Sequence, residues 1–141
     1  MTAILLVSHG GFAQALLETA EMILGPQELT AAVGLGPTDS PEALQAKIEA
    51  ALDAFHGAPT LVLTDIFSGT PFNTVVRLSQ SRSFRHLTGI NLPLLNEALV
   101  SRDASSPDEL AEALMESAPE AFQDVDALMS RPPQPDDLDD F

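Results

Sequence analysis

Three polar segments could do chemistry if the fold brought them together: Ser8-His9-Gly10-Gly11, Asp65-Ile66-Phe67-Ser68-Gly69-Thr70-Pro71, and Asn91. His9 is the natural centre. An isolated histidine after an apolar run most simply ends a strand and satisfies a carbonyl. Asp65 alone most simply starts a turn or caps a helix. As a pair they could do more: the carboxylate would accept a hydrogen bond from one ring nitrogen, fix the tautomer and leave the other nitrogen as a nucleophile. A metal is a poorer use of the pair, because no third ligand is evident nearby.

Gly10-Gly11 and Ser68-Gly69-Thr70 place small residues where helices should begin. Free backbone N–H groups and the helix dipole there would bind an anion such as a phosphoryl group, helped by the hydroxyls of Ser68 or Thr70. Glycine in a turn has a plainer explanation, but two such loops flanking one histidine favour the anion. No lysine or arginine precedes Lys47, and none lies between Asp65 and Pro71. A P-loop lysine is therefore missing and nucleotide hydrolysis is not expected. Arg77, two turns into the following helix, is the basic group best able to reach such an anion, although it reads more simply as a solvated helix charge. His56 and His86 lie at element edges with no accompanying motif and read as structural.

The elements that must position these residues alternate. Ala3 to Val7 is an unbroken apolar run, the pattern of a strand buried on both faces. Phe12, Leu16, Ala20, Ile23 and Leu24 then recur at helical spacing over residues 11 to 24, closed by Gly25-Pro26. A strand over 29–35 leads to Ser40 as N-cap, Pro41 at the first helical position, and a stripe of Leu44, Ile48, Leu52 and Phe55 ending near Gly57. Thr60 to Thr64 reads as a third strand, 71–80 as a helix, 86–91 as a fourth strand and 93–102 as a helix. Ser106-Pro107-Asp108-Glu109 opens a last long helix with Leu110, Leu114, Ala118 and Phe122 as its buried stripe. The pattern predicts an α/β fold, a doubly wound, mostly parallel sheet with helices on both faces, whose ligand sites lie beyond the carboxyl ends of the strands.

Length and charge narrow the reading. The 141 residues suit one domain. Six basic residues against 21 acidic ones give a net charge of −15, which argues against nucleic acid or an anionic membrane surface as partner. Residues 1–102 carry a net −4 and residues 103–141 a net −11. No cysteine is present, which excludes disulfides, thiolate metal sites and thiol nucleophiles and fits a reducing compartment. The first apolar run is too short for a membrane span or signal peptide, so a cytoplasmic protein is expected. Residues 1–129 read as the domain and 130–141, with three prolines and four aspartates, as an acidic, disordered tail.

These segments resemble the IIA component of the mannose-type sugar phosphotransferase system. Ser8-His9-Gly10, Asp65-Ile66-Phe67-Ser68-Gly69-Thr70-Pro71-Phe72-Asn73 and Gly89-Ile90-Asn91-Leu92-Pro93-Leu94-Leu95 carry the resemblance, with Leu16-Leu17-Glu18-Thr19-Ala20-Glu21-Met22 in the first helix. The resemblance implies that His9 takes a phosphoryl group from the histidine carrier HPr and passes it to a IIB component on a separate chain. Asp65 would be its hydrogen-bonded partner, with Ser68, Gly69 and Thr70 beside the phosphoryl group. No cofactor or metal is implied, and a membrane is involved only indirectly, through a permease. It also implies a homodimer that exchanges a C-terminal antiparallel edge strand, for which Val125 to Met129 is the candidate. The family commonly has two glycines and a serine where this chain has Ser68-Gly69-Thr70, which restricts the loop backbone but keeps a hydroxyl. Three alternatives stay open: a regulatory phosphoprotein not coupled to transport, a non-enzymatic module for small anions, and the phosphocarrier subunit of dihydroxyacetone kinase.

Overall fold

The computed structural model describes residues 1–130. The tail expectation, apart from Ser130, lies outside the described residues. Strands β1 (Ala3–His9), β2 (Thr30–Leu35), β3 (Thr60–Thr64) and β4 (Arg85–Thr88) alternate with helices α1 (Phe12–Leu24), α2 (Pro41–Asp53), α3 (Gly69–Leu78) and α4 (Leu92–Ser101). Helix α5 (Pro107–Ser117) and the short α6 (Val125–Met129) follow, with 3₁₀ turns at Arg102–Ala104 and Ala118–Ala121. The four strands are all parallel in the order β2-β1-β3-β4. No helix among the described residues is long and apolar enough to cross a membrane.

Side chains of β1 alternate between two cores. Ile4 and Leu6 face α1, α4 and α5, packing with Leu16, Leu17, Leu95, Leu99, Leu110 and Leu114. Ala3, Leu5 and Val7 face α2 and α3, packing with Leu44, Ile48, Val75 and Leu78. Continuing the alternation puts Ser8 on the α1 side and His9 on the α3 side. After β2 the chain crosses back over β1 to place β3, so the order reverses between β1 and β3. His9 ends β1 and Asp65 follows β3, at this switch point.

At the opposite end of the sheet, Arg102 is buried, and among the described residues no carboxylate forms an ion pair with it. Its guanidinium donates instead to Thr2 O (3.4 Å), Leu29 O (3.2 Å) and Gln27 Oε1 (3.1 Å), stitching the starts of β1 and β2 to the end of α4.

Several sequence expectations are corrected. The buried face of α1 is Ala13, Leu16, Leu17 and Ala20, with Phe12 and Ile23 exposed. Helix α5 stops at Ser117 because Pro119 cannot continue it, so Ala118 and Phe122 leave the stripe and Phe122 is 95% exposed. Val125 to Met129, the expected exchanged strand, is helical; Asp124 caps it by accepting from Ala127 N–H at 3.0 Å. Helix α3 begins at Gly69, two residues before Pro71, and β4 is shorter than expected, ending at Thr88.

Helix α2 ends at Asp53, and His56, exposed in the turn beyond it, holds a φ of 52°. An L side chain there costs about 1–2 kcal/mol, partly offset in a glycine by about 0.5–1 kcal/mol of backbone entropy. His56→Gly should raise stability by about 0.5–1 kcal/mol, read as a higher urea midpoint with an unchanged slope.

Candidate active site at the β1–β3 switch point

Ser8 and His9 leave β1 on opposite faces and do different work. Ser8 Oγ accepts from Ala13 N–H (2.8 Å) and donates to His9 O (3.0 Å). It stands in for the missing side chain of Gly11, the N-cap of α1. His9 turns to Asp65. Its main-chain N–H donates to Asp65 Oδ2 at 2.9 Å, and its Nδ1 lies 2.8 Å from the same oxygen. Asp65 Oδ1 accepts from Ile66 N–H at 3.0 Å.

Asp65 has a side-chain exposure of 12%, against 46% for His9. Burial pushes its carboxyl up, but the bonds from the His9 main chain, the His9 ring and Ile66 together hold it below its ordinary value of 3.8. A carboxylate ionised at neutral pH only accepts, so Nδ1 must carry the proton. With Nδ1 as the donor, Nε2 is the ring nitrogen left to carry a lone pair.

Nε2 points at the start of α3. A Cβ built on Gly69 would sit 2.9 Å from Nε2, and Gly69 has a φ of +87°, so both space and backbone call for glycine. Ser68, the N-cap, is extended and its side chain makes no cap bond. The first-turn N–H groups of Gly69 and Thr70 therefore have no side-chain cap, and Pro71 has none to offer. A histidine nucleophile, an ionised orienting carboxylate and a helix N-terminus converge here, an arrangement suited to receiving an anionic electrophile.

The other expected residues divide. Gly10 spends its N–H on Leu35 O (2.8 Å), so it cannot offer that group to an anion; Gly11 begins α1. Arg77 is exposed near the end of α3, roughly 12 Å along the axis from Gly69 at 1.5 Å per residue. Lys47 is taken up by Asp39 (2.7 Å) and Gly34 O (3.3 Å). Asn91 caps α4 by accepting from Leu94 N–H (3.1 Å). Among the described residues no group of three or more His, Cys, Asp or Glu side chains could hold a metal ion.

Two residues escaped sequence reasoning. Gly34 on β2 lies so close to the His9 loop that a Cβ would strike the Gly10 carbonyl. A glycine inside an apolar strand was the available signal. His86 on β4 has its Nε2 2.8 Å from Thr64 Oγ1, a pairing 22 residues apart that no local pattern announces.

Comparison with known proteins gives a consistent answer. The family model described as "PTS system fructose IIA component" matches residues 3–115. The mannose-specific EIIAB component of Escherichia coli K12 is 36% identical over 135 residues, 92% of this chain. The chain spans 40% of that relative's length. The sorbose-specific EIIA component of Lacticaseibacillus casei is 31% identical over 136 residues, covering 96% of this chain and 99% of that one. The crystal structure of phosphotransferase system component EIIA from Streptococcus agalactiae superposes with a TM-score of 0.83 at 30% identity, over 90% of this chain and 99% of the other.

Gly69→Ala should slow modification of His9 by diethyl pyrocarbonate at least severalfold, measured by mass spectrometry, because the new methyl group crowds Nε2. A lowered Asp65 carboxyl also has a signed consequence. Its contribution to stability is complete above its ordinary value of 3.8 and is lost as pH falls through the folded value. Asp65→Asn should therefore be less stable than the parent at neutral pH, with the gap narrowing below about pH 4 in urea titrations.

Proposed function

Because the chain belongs to the family of IIA components of sugar phosphotransferase systems, we propose that it carries a phosphoryl group on His9 Nε2 between two protein partners. The observation that carries the proposal is the Nδ1–Asp65 bond, which turns the other ring nitrogen, Nε2, toward the N-terminus of α3. The donor is a phosphorylated histidine carrier of the HPr type, and the acceptor is a IIB component.

In the first transfer the Nε2 lone pair forms a bond to phosphorus as the phosphorus–nitrogen bond to the donor imidazole breaks, and the donor nitrogen keeps the electron pair. His9 retains its Nδ1 proton throughout. The ring gains positive character on phosphorylation, and ionised Asp65 at 2.8 Å stabilises it. The phosphoryl oxygens meet the N–H groups of Gly69 and Thr70 and the hydroxyls of Ser68 and Thr70. Gly11 lends the start of α1. A helix N-terminus contributes roughly 0.3–1 kcal/mol to holding an anion, up to about 2 kcal/mol when partly buried. That is enough to orient the group without trapping it. Between two imidazoles the chemistry asks mainly for alignment and charge stabilisation. The second transfer reverses these steps toward IIB.

His9 need recognise only the phosphoryl group, in keeping with relatives whose names divide among mannose, sorbose and fructose. We infer a cytoplasmic carrier, in line with the cysteine-free sequence. A homodimer is part of the proposal. Among the described residues the outer edge of β4 has no strand beside it, and Phe122, Val125 and Met129 expose apolar surface.

Incubation with phosphoenolpyruvate, enzyme I and HPr should place one acid-labile, base-stable phosphate on the protein. His9→Ala should carry none, and Asp65→Asn should accept it at least tenfold more slowly. Equal labelling of His9→Ala would sink the proposal.

A further inference from the structure

Behind the Asp65 loop lies a second histidine that the phosphoryl scheme does not use. His86 and Thr88 on β4 share the α3-facing side of the sheet with Thr64, following the register Val62↔His86 and Thr64↔Thr88. Thr64 is fully buried, is the last residue of β3 and immediately precedes Asp65. Its hydroxyl donates to Thr88 Oγ1 (2.8 Å), and with its single proton committed there it accepts from His86 Nε2 (2.8 Å). Its carbonyl accepts from both Gly89 (3.0 Å) and Ile90 (3.2 Å) as the chain leaves β4.

The ring of His86 serves a second purpose. It packs at 5.4 Å against Phe72 in the first turns of α3, and Phe72 packs at 4.9 Å against Phe67 in the Asp65 loop. One imidazole thus holds both ends of the segment from Thr64 to Phe72. Asp65, which bonds the His9 ring, and Gly69, where a Cβ would crowd it, lie within that span. The tolerance is narrow. With so little room between Gly69 and Nε2, a small movement of the α3 start toward His9 covers the nitrogen, and a movement away takes the helix N–H groups off the incoming phosphoryl group.

We propose that His86 is a positioning residue for phosphoryl exchange on His9, bracing the Asp65–Gly69 segment through its hydrogen bond to Thr64 and its contact with Phe72. The chemical consequence rests on the phosphocarrier reading; the bracing is a property of the resting protein. The Thr64 bond is the part that sets the Asp65 end. His86→Phe keeps a ring against Phe72 and loses the donor, whereas His86→Gln keeps an N–H that can reach Thr64.

The full chain and these two variants should be compared in two measurements. In the first, phosphorylated HPr is varied and the maximal transfer rate is separated from the half-saturating concentration. His86→Phe should lower the maximal rate about tenfold, the scale of a slightly misplaced reacting group, with half-saturation within about twofold. His86→Gln should recover it to within about threefold of the parent. In the second, ¹⁵N spectra of the His9 ring in the unphosphorylated protein should show loss of the single Nδ1–H tautomer in His86→Phe and its return in His86→Gln. An unchanged rate and unchanged His9 signals in a folded His86→Phe overturn the proposal, as does His86→Gln no better than His86→Phe. Should His86→Phe fail to fold, Thr64→Val removes the same bond from the other side and must reproduce the same pattern. If the unsubstituted protein takes no phosphate from HPr, the phosphocarrier reading fails, and the ¹⁵N comparison alone decides whether His86 braces His9.

Discussion

The pairing of β1 with β3 is the contact on which the rest depends. Had the chain laid β3 beside β2, His9 and Asp65 would lie two strands apart, about 9–10 Å at the usual strand spacing. Crossing back over β1 instead sets their strand ends side by side, with Val7 opposite Thr64 in register. Asp65 then bonds both the backbone and the ring of His9. Helix α3, which must begin directly after Asp65 to return along the sheet, brings its N-terminus to the free ring nitrogen. One topological choice supplies the pair and the anion-facing helix together.

The order of elements was legible because β1 and β3 carry short apolar runs and α2 and α5 carry clear start signals. Ser40-Pro41 and Ser106-Pro107 do cap α2 and α5, the latter with Glu109 completing a reciprocal capping box. His9 and Asp65 stood out as a pair rather than singly, because the alternating elements put both at carboxyl ends of strands, and the structure brings Nδ1 to 2.8 Å from Oδ2. What was hidden depended on tertiary context. The rotation of α1 about its axis buries Ala13 and Leu17 in place of Phe12 and Ile23, and spacing alone does not separate two overlapping stripes. The Gly10 N–H looked available until β2 placed the Leu35 carbonyl against it. His86 has no sequence neighbour that betrays it, because its partners come from two other elements. The segment 125–129 was read as a strand through its resemblance, yet Asp124 as a cap favours helix locally.

Charge is distributed in the same spirit. Among the described residues Lys47 is paired with Asp39, Arg82 with Asp53 and Arg85 with Asp108, while Arg77 stays near the far end of α3. Arg102 is turned inward at the far end of the sheet, tying strand starts rather than strand ends. Among the exposed apolar side chains, Phe12 begins α1 and Ile66 and Phe67 follow Asp65. Side chains of that kind add no competing charge beside the imidazole.

That a single oxygen, Asp65 Oδ2, receives both the main-chain and ring nitrogens of His9 has a consequence for entropy. Two bonds from one residue to one atom fix both side-chain torsions, so the ring is already immobilised when the chain folds. The loss of rotamer freedom, on the order of 1 kcal/mol for a side chain of this kind, is met once during folding rather than at every encounter. In the proposed carrier each partner is thereby offered the same ring in the same pose.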